Sequence, residues 1–225
     1  MKIDPIFRVP RTWSNKELRK IAPLVQGVVA NVSGWKDEDK EGAHYREYFS
    51  SATEYYITNY IAEARGYQGD LENEIFLDLT LPLQEELIHK FDAVLNHTVL
   101  EHIYDVNAAL DTLCALSKDL VIIVVPFLQE EHADYGDYWR FTPSCLKRLL
   151  EERGFSVAYI SFNKHKNASI YVFVVASRQF ERWSGLKQLD GNMIEDIGKK
   201  HAGQGAIKRS WAQKVRAVAK RIVGK

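Results

Sequence analysis

Apolar residues along this chain fall into two rhythms. Short runs rich in valine, isoleucine and aromatic residues at 25–32, 54–60, 74–79, 91–96, 119–126, 155–161 and 170–176 predict strands. The run at 119–126 has no polar alternation at its centre. It predicts a strand buried on both faces, in the middle of a parallel sheet. Elsewhere the period is helical. Val106, Ala109, Leu110, Leu113 and Leu116 predict a helix over 106–117. Thr142 and Pro143 predict the N-cap and first turn of a helix that ends at Gly154. Ser14 and Glu17 have capping-box spacing, so a short helix is expected to start at Ser14 and end near Pro23. A further short helix is expected over 83–90, and the polar stretch 34–45 predicts a loop. Strands alternating with helices, then closed by a hairpin, imply an α/β fold. Its sheet is mostly parallel, with one antiparallel strand.

Charge changes this picture at the C-terminus. The formal net charge is zero, but from residue 178 onward there are 12 Lys+Arg against 4 Asp+Glu. The rest of the chain is therefore acidic, which argues against nucleic acid as a partner. In the tail, Ile207, Trp211, Val215, Val218 and Ile222 recur at helical spacing among lysines and arginines, the pattern of a basic amphipathic helix. Three readings stay open. The helix docks on the acidic body, lies on an anionic membrane surface, or pairs with a partner such as a second copy of the chain. The expected organisation is an N-terminal helical extension over 1–24, a core domain over 25–177 and a basic tail over 178–225. No apolar run approaches the ~20 residues that span a bilayer, and the N-terminus lacks the apolar core of a signal peptide. Cys114 and Cys145 read as reduced thiols. A cytoplasmic protein is expected, peripheral to the inner membrane face if the tail binds lipid. The histidines are scattered without ligand spacing, so no metal is expected.

In an open parallel sheet, ligands bind beyond the carboxyl ends of the strands. The candidate binding residues are thus Asn31, Ser33 and Gly34 after the first strand, and Asn59 after the second. Asp78 and Leu79 follow the third, and Asn96, His97 and Thr98 the fourth. The segment from Phe127 to Arg140 follows the fifth. Within it, His132 is a candidate general base, because the unperturbed pKa of a histidine side chain is ~6.5.

Phe91-Asp92 with Leu100-Glu101-His102, and His132 with Asp137-Tyr138-Trp139-Arg140-Phe141-Thr142, resemble segments of class I S-adenosylmethionine-dependent methyltransferases. The likeness is to the small-molecule and glycan-modifying kind found in bacterial surface-polysaccharide gene clusters, and it covers roughly 25–177. It implies a Rossmann-like methyltransferase sheet, S-adenosylmethionine as cofactor and a small-molecule or sugar acceptor. The strand-end residues named above would bind the cofactor. His132 would act as base, Asp137 would orient it, and Arg140 would bind an acidic group or pair with Asp137. A salt bridge that only fixes the loop is the competing reading for Asp137 and Arg140. Core packing competes with sugar stacking for Trp139, and a turn start competes with ribose binding for Asn59. Glu101 and His102 read as loop-orienting residues. The chain departs from the family after its first strand, where only Gly34 remains of the usual glycines and Asn31 replaces the usual acid. That departure favours the alternative function, an inactive relative serving as a scaffold or binding subunit.

Overall fold

The computed structural model describes residues 4–61, 66–133, 135–198 and 202–203. The expected tail helix lies outside the described residues, and so does the basis for a lipid or self-association role.

Seven strands form one sheet: β1 Gly27–Val32, β2 Ala52–Asn59, β3 Glu74–Phe76, β4 Phe91–His97, β5 Ser117–Leu128, β6 Ser156–Phe162 and β7 Ile170–Ser177. Their spatial order is β3-β2-β1-β4-β5-β7-β6. All pairings are parallel except those of β7, which runs antiparallel to both β5 and β6. The order reverses between β1 and β4, which is where an open sheet leaves a crevice for a ligand.

The strand at 119–126 behaves as its composition predicts. Leu120 to Val125 are all fully buried. Side chains alternate faces along a strand. Leu120, Ile122 and Val124 therefore point into one core, while Val121, Ile123 and Val125 point into the other. The second of these cores is covered by helix α2, Val106–Leu116, and helix α3, Pro143–Glu151. Thr142 caps α3 by accepting from the Cys145 N–H, and Gly154 beyond its end adopts φ +79°, as expected. The first core is covered by helix α1, Arg8–Ile21, through Leu18 and Ile21, and by Trp183 and Leu186 beyond β7. Asp119 at the start of β5 anchors that last segment, accepting from Trp183 Nε1 at 2.8 Å. Cys114 is buried and Cys145 exposed, and both are free thiols.

Two expected helix features are corrected. Helix α1 starts at Arg8, not Ser14, because Asp4 accepts from the Ile6 and Phe7 N–H groups and opens the first turn. Ser14 sits inside the helix, fully buried, with its hydroxyl bonded within the protein. The helix expected over 83–90 is a single 3₁₀ turn at Glu85–Leu87, cut short by left-handed His89, φ +51°.

Among the described residues no helix is long and apolar enough to cross a membrane.

Candidate functional site

Beyond the end of β4 the chain makes a turn, Thr98 at φ +55° followed by a 3₁₀ turn at Leu100–His102. Thr98 N–H donates to the Val124 carbonyl at 2.7 Å, which holds this turn against β5. The apolar anchor is fully buried Leu100, and it carries Glu101 inward with it. Glu101 is 0% exposed, and neither of its carboxyl oxygens has a hydrogen-bond partner. Burial pushes this carboxyl up to about 8. Asn96 Oδ1 and Thr98 Oγ1 are likewise buried without partners, although the Asn96 amide donates to the Val32 carbonyl at 3.3 Å. Buried polar atoms in proteins are nearly always hydrogen-bonded. Their accumulation sets the end of β4 apart from the ends of β1 and β2.

His97 is different. Arg11 Nη1 lies 2.9 Å from its Nδ1, and Ser14 Oγ lies 2.9 Å from its Nε2. Arginine can only donate, so Nδ1 accepts, Nε2 carries the proton and donates to Ser14, and Ser14 donates to the Arg11 carbonyl at 2.9 Å. The ring is therefore neutral. Burial, with the Arg11 charge beside it, holds its pKa well below the ordinary value.

The loop after β5 packs on the same turn. Tyr138 N–H donates to the Glu101 carbonyl at 2.7 Å, and Phe141 N–H to the Pro126 carbonyl at 3.1 Å. Asp137 is a buried carboxylate gripped by Arg140 through both guanidinium nitrogens, one of them at 2.6 Å. It also accepts from the His132 backbone N–H at 2.9 Å. Burial alone would raise its pKa, but the Arg140 hydrogen bonds outweigh that and bring it down to about 2. His132 Nδ1 lies 2.9 Å from Asp137 Oδ2 but off the line of a hydrogen bond, and it has no other partner. The His132 and His102 rings meet edge to face at 5.1 Å. Exposed Tyr104, Tyr135, Tyr138 and Trp139 surround this mouth, with Tyr135 against His102 at 4.9 Å. Trp139 donates to the Ile103 carbonyl at 3.0 Å, so its ring stands on the surface and is not core.

The β1 and β2 ends form a second corner, and there the Asn31 and Asn59 side chains both have partners. Asn31 donates to Asp37 at 2.8 Å. Asp37 also accepts from the Tyr55 hydroxyl at 2.7 Å and the Arg46 N–H at 2.9 Å. Asn59 accepts from Trp35 N–H at 2.7 Å and donates to the Trp35 carbonyl at 3.1 Å and to Glu74 at 2.6 Å. Ser33 takes φ +57° and its N–H lies 3.4 Å from Thr58 Oγ1. A Cβ on Gly34 would meet the Asn31 amide at 2.5 Å, so this glycine lets the loop close over Asn31. At the third strand's end, Asp78 accepts from Thr80 N–H at 2.8 Å through Oδ1, and Leu79 is buried.

Sequence reasoning singled out His132, Asp137 and Arg140, which the structure brings together, and the strand-end residues, which it divides between two corners. It passed over Glu101 as a reactive group, and also Arg11. Glu101 had a signal, a carboxylate set among Val99, Leu100 and Ile103. Arg11 had none, because its partner lies on β4.

By sequence the chain matches no family profile and no curated protein. By fold it is similar to a candidate methyltransferase from Bacillus halodurans C-125, at 12% identity, covering 72% of this chain and 97% of that one, TM-score 0.53. A candidate methyltransferase in complex with the Haloferax volcanii Trm112 methyltransferase activator is similar to the same degree, at 13% identity, 75% and 90% coverage and TM-score 0.53. A candidate Zn-dependent alcohol dehydrogenase from Rhodobacter sphaeroides follows at 15% identity, 75% and 90% coverage and TM-score 0.51. The chain has a Rossmann-like class I methyltransferase fold. At these identities the likeness is one of fold, and one fold hosts many chemistries.

Proposed function

We propose that this protein is an S-adenosylmethionine-dependent methyltransferase acting on a small molecule or sugar, such as a glycan precursor. The observation that carries the reading is the β4 corner. Unpartnered Asn96 Oδ1 and Thr98 Oγ1 lie at the strand end, next to Glu101 and the paired His102 and His132, under a rim of exposed aromatic rings.

The residues present fit the cofactor in part. Asp78 has one carboxylate oxygen clear of its turn and can accept from an adenine amine, with the Leu79 N–H beside it. Asn96 and Thr98 supply the orphaned acceptors for the amino-acid end, while both ring nitrogens of His97 are already engaged by Arg11 and Ser14. When bound, the sulfonium supplies an activated methyl group, so the protein has only to place the acceptor in line and manage one proton. In this reading His132 takes that proton from a hydroxyl, Asp137 and Arg140 hold the loop that carries it, and Tyr104, Tyr135 and Trp139 offer apolar faces to a sugar or planar acceptor. Methyl transfer should be tested first as binding. Calorimetric titration with S-adenosylmethionine and S-adenosylhomocysteine should show one site, weakened by roughly 1–3 kcal/mol in Asp78→Ala, the scale of a hydrogen bond to a charged group.

The second reading is an inactive scaffold or binding subunit. One observation favours it: Asn59, Asn31 and Gly34, which would hold the ribose and the loop around it, are engaged with Trp35, Asp37 and each other. No binding at millimolar ligand would decide for the scaffold.

A further inference from the structure

We propose that Glu101, His102 and His132 form a binding site for one divalent transition-metal ion of zinc-like softness. The observation is a convergence of ligand atoms that make no hydrogen bond. Both oxygens of Glu101 and Nδ1 of His132 are buried and form none, although this Nδ1 stands 2.9 Å from Asp137 Oδ2. One ligand atom from each of the three residues lies within 4.8 Å of the others. His102 Nε2 is 3.8 Å from Glu101 Oε1. In a tetrahedral site with bonds of about 2.1 Å, ligand atoms stand about 3.4 Å apart, so this pair needs a shift of only a few tenths of an ångström. The pairs that involve His132 lie within 4.8 Å.

The surroundings agree. His102 Nδ1 lies 2.7 Å from the Gly136 carbonyl. A proton on Nδ1 directed there leaves the Nε2 lone pair facing Glu101, which is how ligating imidazoles are usually held. The two guanidinium groups nearby are engaged elsewhere, Arg140 with Asp137 and Arg11 with His97. No cation is hydrogen-bonded to Glu101, and an ion at this point would supply a counter-charge for its carboxylate. Two imidazoles with one carboxylate suit zinc, cobalt, manganese or iron(II). Magnesium favours several oxygens and keeps its waters. Three protein ligands leave a coordination position open. The side chains of His132 and His102 are 20% and 12% exposed, so the open position faces the mouth and not the core. Under the methyl-transfer reading an acceptor hydroxyl held there would lose its proton more readily, and the ion would replace His132, now a ligand, as the group that promotes this loss. That role rests on the reading above, whereas metal binding does not.

The test is made without cofactor, on the untagged, metal-free full chain. Co²⁺ titration followed by visible absorbance should reach saturation at one ion per chain, with Zn²⁺ displacing it and millimolar Mg²⁺ leaving the spectrum unchanged. Glu101→Gln and His132→Ala should each weaken Co²⁺ binding at least tenfold, and the exposed His44→Ala should not. Circular dichroism checks the fold of each variant. If Glu101→Gln fails to fold, His132→Ala on its surface loop decides. No Co²⁺ binding, affinity unchanged by both site variants, or equal competition from Mg²⁺ would overturn the proposal. Metal bound as predicted, with no response to S-adenosylmethionine, would count against the methyltransferase reading alone.

Discussion

The two corners of the sheet's crevice differ in what their polar groups do. At the ends of β1 and β2, Asn31, Asp37, Asn59, Tyr55 and Glu74 hydrogen-bond one another and the backbone of Trp35. At the end of β4, Asn96 Oδ1, Thr98 Oγ1, both oxygens of Glu101 and His132 Nδ1 are buried without a hydrogen bond. The polar groups of the first corner are bonded within the protein, and these are not. Satisfied buried polar networks stabilise a fold, and unsatisfied ones cost stability that function has to justify.

The contrast can be broken most severely at Asp37. Its carboxylate is fully buried and holds Asn31, Tyr55 and the Arg46 N–H. Asp37→Ala should lower unfolding free energy by about 3–5 kcal/mol, the cost of stripping one member from a buried charged network. Urea denaturation measures this, and a loss below 1 kcal/mol would mean the corner is not a structural unit. Next is Asn59→Asp, which sets a second carboxylate where Asn59 Nδ2 now donates to Glu74 at 2.6 Å. A loss of roughly 1–3 kcal/mol is expected. Adding Glu74→Gln should recover most of it in a double-mutant cycle.

His97 joins α1 to the open corner, and it should make stability depend on pH. Arg11 and Ser14 of α1 and Tyr45 of the β1–β2 connection face it. Its folded pKa is depressed. Above the ordinary histidine value of ~6.5 the ring is neutral in both states, and its contribution is fully present. As pH falls below that value the unfolded chain takes up a proton that the native site refuses. Stability should then fall by up to about 1.4 kcal/mol per pH unit until the folded pKa is reached. Denaturation at pH 7 and pH 5.5 should show the slope, and His97→Gln should flatten it. The smallest effect belongs to the open corner itself. Glu101→Gln should cost less than about 1 kcal/mol, because neither oxygen has a hydrogen bond to lose. A large loss would show that Glu101 is structural.

Much of this was legible in the chain, for reasons specific to its residues. The run at 119–126 reads as a central strand because nothing else accommodates six consecutive aliphatic residues so short. Thr142-Pro143 and Gly154 announce their helix because their local geometry is chemical. Ser14 misled because a hydroxyl that caps a helix and one that serves a distant histidine look alike in sequence. The clustering of Glu101 and His102 with His132 was hidden for a similar reason. The residues lie on different loops, joined only after α2 and β5 return the chain to β4. The closed corner depends on the same kind of contact, with Asp37 meeting Tyr55 and Asn59 meeting Glu74 across the strand ends.

Helix α1 has one more consequence. Its Glu17 accepts from the Tyr159 hydroxyl, 142 residues further along, and from Ser161 at 3.0 Å, and its Lys20 donates to the Asp190 carbonyl at 3.0 Å. On a ribosome these partners do not yet exist when the helix emerges. Contacts of such long range are made late, because chain entropy must be lost before they form. Until β6 has been synthesised, Leu18 and Ile21 have part of their cover missing and Glu17 has no bonding partner beyond Lys20. The growing chain thus carries an exposed amphipathic segment until that strand follows, the kind that chaperones hold and aggregates recruit. A helix made well before β6 is fully seated only after it.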